Sequence, residues 1–126
     1  MQLLLLASAG GAIGAGLRHL VNEAFVARGL HAFPWATLTV NVVGSLIMGL
    51  LAGMFAERSQ FGPDVRVFLT TGILGGFTTF SAFSIDVARL AEGGAAGAAL
   101  SYAAISVLLS IAAVFAGLWI SRTVLA

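Results

Sequence analysis

Cysteine is absent from this chain and charge is scarce, and each shortage removes a class of function. Without cysteine there are no disulfides and no thiolate metal sites, so redox chemistry says nothing about the compartment. Only 9% of the 126 residues are charged, where ordinary soluble domains carry roughly 25%. The formal net charge of +1 provides no basic patch to attract phosphates, which sets nucleic acid aside. What is present is apolar: 60% of residues are hydrophobic and the mean hydropathy is +1.05. A water-soluble fold is excluded.

A helix crossing the hydrocarbon core needs about 20 apolar residues, because roughly 30 Å is covered at about 1.5 Å per residue. The apolar runs, read against the breakers, predict an all-α integral membrane protein with helices at about 3–27, 35–56, 65–90 and 95–123, one transmembrane domain over residues 1–126. Arg28-Gly29-Leu30-His31 and Pro34 close the first loop, Glu57-Arg58-Ser59-Gln60 with Gly62-Pro63-Asp64 fills the second, and Glu92-Gly93-Gly94 makes the third. The opening MQLLLLASAGG has a signal-like Ala7-Ser8-Ala9. It lacks a positive n-region, however, and its apolar character runs on through Gly16, so it reads as the first membrane helix.

Four spans put both termini on one side. That side holds Arg58, Arg66 and Arg122, and the other holds Arg28, Arg89 and Arg18. Orientation normally follows an excess of basic residues on the cytoplasmic loops, and here there is none. The expectation is a chain that inserts both ways up and pairs as an antiparallel dual-topology homodimer. The alternative is a fixed topology set by lipid or partner proteins.

Polar residues are costly in lipid and therefore informative. Gly10 and Gly14, Gly49 and Gly53, and Gly72 and Gly76 are spaced for close helix packing. Thr37, Asn41 and Ser45 share a face of the second helix, and Tyr102, Ser106 and Ser110 share a face of the fourth. These stripes are either interhelical glue or the walls of a narrow polar track. Both are uncharged and rich in donors, and Asn41 offers an amide NH₂ near the bilayer middle, so a track would suit a small anion. The acids Glu23, Glu57, Asp64, Asp86 and Glu92 all lie toward helix ends or in loops, which argues against a proton-coupled exporter. Asp86 and Arg89, three apart, are placed to pair on one face. Arg18 either snorkels to the headgroups or makes a vestibule electropositive.

The stretch TTGILGGFTTFSAFS is the most distinctive. Gly75-Gly76 followed by Thr78-Thr79 is poor helix, and Thr79 or Ser81 could cap a new one, so the third span is expected to break near its middle. A first half-helix ending there presents carbonyl oxygens, which favour a cation, and a second one begins with free N–H groups, which favour an anion. Phe80 and Phe83 are spaced to share one face. They are packing residues, or they turn the positive edges of their rings toward an anion.

With GGAIGAGLRH near the start, Thr39-Val40-Asn41 and Gly44 in the second span and TTGILGGFTTFSAFS in the third, the chain resembles the CrcB/Fluc family of microbial fluoride channels across all four helices. His19 stands where an aromatic residue commonly follows the arginine, and Ala82 where threonine is common. The resemblance implies an antiparallel homodimer in the bacterial inner membrane with two fluoride pathways, and one structural sodium held by backbone carbonyls of Gly75 and Thr78. Each pathway would be bordered by Asn41, Phe80, Phe83, Tyr102, Ser106 and Ser110, with Arg18 in a vestibule. The implied function is passive, fluoride-selective export rather than catalysis. A coupled exporter of a small anion or cationic drug and a non-transporting assembly subunit are the rivals.

Overall fold

The computed structural model describes residues 1–125. Its elements are α1 (Gln2–Ala27), α2 (Trp35–Glu57), α3 (Pro63–Val67), a π-helical stretch (Phe68–Leu74), α4 (Gly75–Phe77), α5 (Phe80–Glu92) and α6 (Ala96–Val124), with no strand among the described residues. Grouped by continuity they give four segments long and apolar enough to cross a membrane: Gln2–Ala27, Trp35–Glu57, Pro63–Glu92 and Ala96–Val124.

Loop chemistry fixes two of the turns. After α1 the Leu30 N–H returns to the Phe25 carbonyl and the Gly29 N–H to that of Val26, with Gly29 at φ +72°. After α5 the Ala95 N–H returns to Leu90 and the Gly94 N–H to Ala91, with Gly94 at φ +84°. Both ends are closed by the same paired-bond motif, which needs a left-handed residue that glycine adopts without steric cost. At the opposite end Gln2 Nε2 donates to Asp64 Oδ2 (2.8 Å) and Arg58 donates to the Leu125 carbonyl (2.9 Å), so both ends of the described chain meet the second loop. Arg66 donates to the Phe55 and Phe61 carbonyls and stacks over the Phe55 ring, fastening the start of the third span to the end of α2.

Glycine determines which helices touch. A Cβ on Gly10 would strike the Phe68 carbonyl at 2.6 Å, one on Gly14 would strike the Ile73 carbonyl, and one on Gly76 the carbonyl of Gly11. These contacts are backbone to backbone, so α1 lies directly on the π-helical stretch and α4. Gly49 and Gly117 oppose each other in the same way where α2 runs along α6. The fully enclosed core is accordingly small: Val40 (1% exposed), Ser121 (1%) and Tyr102 (0%) are its most buried side chains.

The third span is where regular helix gives way. Pro63 and Asp64 open α3 in positions that suit a helix N-terminus. From Phe68 the helix widens into π turns, and Thr70 Oγ1 donates to the Arg66 carbonyl at 2.8 Å, a side-chain bond that competes with the helical ladder. Helix stops at Phe77. Thr78 (φ −82°, ψ 159°) and Thr79 (φ −154°, ψ 126°) are extended, as β-branched residues readily are, and helix resumes at Phe80. Thr79, not Ser81, is the cap: its hydroxyl accepts the Ala82 N–H at 3.1 Å.

Candidate functional site

The two extended threonines need hydrogen-bond partners that helix no longer supplies. Asn41 of α2 supplies them, with Nδ2 donating to the Thr79 carbonyl (2.9 Å) and Oδ1 accepting the Thr79 N–H (2.8 Å). One side chain thus satisfies both polar groups of one peptide residue, as a neighbouring strand would. The diversion has a second effect. The N–H that would close a helical turn on the Gly75 carbonyl is that of Thr79, which goes to Asn41, and the one that would close on Thr78 is that of Ala82, which goes to Thr79 Oγ1. The carbonyl oxygens of Gly75 and Thr78 are released from the helical pattern, and Gly75 lies exposed on the surface of the single chain.

Beside this clamp, α2, α5 and α6 border an open cavity of about 360 Å³. Asn41 and Ser45 line it from α2, Thr78 and Thr79 from the interruption, Phe80 and Phe83 from α5, and Ser106 and Ser110 from α6. Five expected pathway residues, Asn41, Phe80, Phe83, Ser106 and Ser110, therefore share one space. No hydrogen bond joins Asn41 or Ser45 to Ser106 or Ser110 among the described residues, whereas at one end of the stripes the Thr37 hydroxyl of α2 lies against the Tyr102 hydroxyl of α6. Ser106 is 3% exposed and its hydroxyl has no hydrogen-bond partner. Such an orphan costs about 1–3 kcal/mol unless water or a ligand meets it.

Tyr102 is placed differently from the expectation: it does not line this cavity. Its ring lies tilted against Phe83 (centroids 5.3 Å apart) and edge-on to Phe33 (5.4 Å), and its hydroxyl donates to Asp86 Oδ2 at 3.2 Å. Asp86 accordingly turns to α6 and not to Arg89, which is exposed. The pairing expected on α5 from their spacing gives way because the buried phenol needs an acceptor more than an exposed guanidinium does. Phe83 is held between Tyr102 and Phe80, whose centroid lies 5.4 Å away. Phe83 is 8% exposed, and Phe80 is 76% exposed.

Behind the clamp lies a second cavity of about 270 Å³. Arg18, His19 and Asn22 enter it from α1, Thr37 from α2, and Thr79 forms part of the wall of both cavities. Spacing had put Thr37 on one stripe with Asn41 and Ser45, and the structure divides that stripe between two spaces. Ser45 and Thr79 are lining residues that the expected pathway omitted. Ser45 was visible as the next member of the Asn41 stripe, whereas Thr79 shows itself only through the chain reversal into α5. No group of three or more His, Asp or Glu side chains able to hold a metal occurs among the described residues.

Four segments long and apolar enough to cross a membrane define a multi-pass membrane protein, and the cavity among its helices is lined by hydroxyl, amide and aromatic groups together with Met48, Val107, Ile111 and Val114. Residues 5–118 match the family described as CrcB-like protein, Camphor Resistance (CrcB). The chain is similar to the fluoride-specific ion channel FluC of Rhodospirillum centenum, with 52% identity covering the whole of both chains. It is similar also to that of Chelativorans sp., 55% identical over 99% of this chain and 100% of the relative, and of Caulobacter vibrioides, 47% identical over both full lengths. This chain belongs to the CrcB family, a family of ion channels and not of enzymes.

Proposed function

We propose that this chain forms a passive, fluoride-selective channel that lets fluoride leave a bacterial cell across its inner membrane. The observation that carries this reading is the cavity beside the clamp, which Asn41, Ser106 and Ser110 line together with Phe80 and Phe83. Fluoride is small and strongly hydrated, so a narrow route must replace its water with close donors. Ser106, Ser110 and Asn41 offer such donors, and the ring edges of Phe80 and Phe83 offer positive rims on the other side. Larger halides fit poorly. The inside-negative potential drives the anion outward, each elementary charge being worth roughly 2.3 kcal/mol per 100 mV.

The working unit is an antiparallel homodimer with one pathway on each side of the two-fold axis. The balance of arginines supports it, as does the exposure of Phe80 and Gly75 in the middle of an apolar span. The carbonyls of Gly75 and Thr78 fit a small monovalent cation, being neutral hard oxygens released from helix bonding. A sodium ion there would supply a fixed positive charge and cross-link the two interrupted spans. Exchanging sodium for N-methylglucamine should then weaken the dimer or its activity, read by size-exclusion chromatography and flux. Equal behaviour in both buffers removes the sodium.

Proteoliposomes loaded with potassium fluoride test the channel directly. Adding a potassium ionophore, with no pH gradient, should release fluoride within seconds to minutes and leave chloride inside in a matched experiment. Efflux that appears only with an imposed proton gradient would instead establish a coupled exporter.

A further inference from the structure

One face of α2 continues the polar stripe beyond the larger cavity. Asn41, Ser45 and Met48 line that cavity, and Met48, Ala52 and Phe55, on the next turns of the same face, line a third open space of about 700 Å³. Arg66, Thr71 and Gly75 form its wall on the third span, where Thr78, beyond Gly75, already belongs to the larger cavity. The two spaces are therefore neighbours, and Met48 lines both. The larger cavity is joined in the same way at its other end, where Thr79 also lines the Arg18 cavity. Three cavities thus follow one another from the loop after α1 to the loop before α3, with an arginine in each outer one.

Arg66 is equipped to hold an anion. A guanidinium has five N–H donors and stays charged at every working pH. Nε donates to the Phe61 carbonyl (3.0 Å) and one Nη to the Phe55 carbonyl (2.8 Å), so three N–H groups remain free among the described residues. Those two bonds and the Phe55 ring, whose centroid is 5.3 Å from Cζ, fix the group in place. No carboxylate lines the cavity to neutralise it. Met48 is the opposite kind of side chain: half-buried, apolar and unbranched, it can shift among rotamers at little cost. Val114, whose carbonyl meets Gly49, lines the larger cavity at the same end, so the stretch between its serines and Arg66 is apolar.

We propose that the Arg66 cavity is the second mouth of the fluoride pathway, and that Met48 is the apolar partition an ion passes between this mouth and the serine-lined cavity. This rests on the fluoride-channel reading of the larger cavity. A hydrophobic constriction resists an ion until it opens and wets, and a flexible thioether chain lets this one yield. Arg66 then acts as a fixed positive charge in a cleft: it concentrates the anion, by up to about tenfold for a single charge.

The chain has no cysteine, so a single introduced thiol reports on its own surroundings. Ala52→Cys places one on the wall of the Arg66 cavity, a turn away from Met48. In proteoliposomes, sulfonatoethyl and trimethylammonioethyl methanethiosulfonate are applied on both sides of the membrane, labelling is quantified by mass spectrometry, and fluoride efflux is compared before and after. The thiolate is the reacting form and both reagents are permanently charged, so only a thiol that water reaches is labelled. The sulfonate should cut efflux several-fold at subsaturating fluoride, and the ammonium should not. No labelling in a chain that still conducts means that lipid or a second copy covers the cavity, which overturns the mouth and leaves the channel. Full labelling by both reagents with efflux unchanged makes the cavity wet but off the path and overturns the mouth equally. Met48→Ala should raise efflux several-fold and Met48→Phe should lower it, with the elution volume on size exclusion unchanged. Wild-type efflux from Met48→Ala overturns the partition. Absence of flux in wild type overturns the channel reading and this inference with it.

Discussion

Asn41→Asp is expected to abolish fluoride flux, by about a hundredfold or more, while the protein still folds. An ionised carboxylate about 6 Å from the passing anion raises its barrier by about 3 kcal/mol at an effective dielectric constant near 20, and that is roughly a hundredfold in rate. Ionisation also damages the clamp. The Asp oxygen that replaces Nδ2 would face the Thr79 carbonyl as one acceptor against another, where Asn41 now donates at 2.9 Å. Protonated, the side chain can still donate to that carbonyl and accept the Thr79 N–H, so the neutral form keeps the fold but loses the amide's second N–H. Acid should therefore restore part of the flux. Asn41→Ala separates the two effects, because it removes both hydrogen bonds, worth about 1 kcal/mol each, without adding charge. Its loss should fall on thermal stability and, through the missing donor, on throughput, though less steeply than the loss in Asn41→Asp. Wild-type efflux from Asn41→Asp proteoliposomes would take Asn41 off the ion path.

Why Asn41 has this double part is a fair measure of what the residues alone disclose. The four spans were legible because a bilayer admits only long apolar helices, and the glycine spacings marked positions of close approach without saying that α1 and the third span meet there. Thr78-Thr79 take up extended backbone, whereas Gly75-Gly76, expected from their composition to disfavour helix, stay helical in α4. The π-helical stretch Phe68–Leu74, which packs closely on α1, was not legible from residue spacing. The partners of polar groups were equally hidden. Spacing showed that Asn41 faces inward but not that both ends of its amide would hold Thr79, thirty-eight positions away. It likewise put Asp86 near Arg89, whereas the acceptor's partner is Tyr102 on another helix. Periodicity reports which face a residue occupies, and tertiary packing decides what it meets there.

The same limit bears on the phenylalanines, whose spacing fits packing and ion contact equally well. Exposure separates them. Phe83 is 8% exposed and wedged between Phe80 and Tyr102, so Phe83→Ile will cost stability, though less than the ~3 kcal/mol at which Phe→Ala losses begin. Phe80 is 76% exposed on the open side of the cavity, and its packing within the chain amounts to one ring pair worth about 0.5–1.5 kcal/mol. Phe80→Ile is therefore the cleaner probe: isoleucine preserves apolar bulk but has no positive ring edge to turn toward an anion. Fluoride efflux should fall at least tenfold in Phe80→Ile, with the elution volume on size exclusion unchanged, and fall further in Phe83→Ile. If both variants conduct like wild type, the rings are packing residues and fluoride passes by the serines alone. If Phe80→Ile elutes as a monomer, the ring belongs to the contact between two copies, and its loss of flux says nothing about the ion.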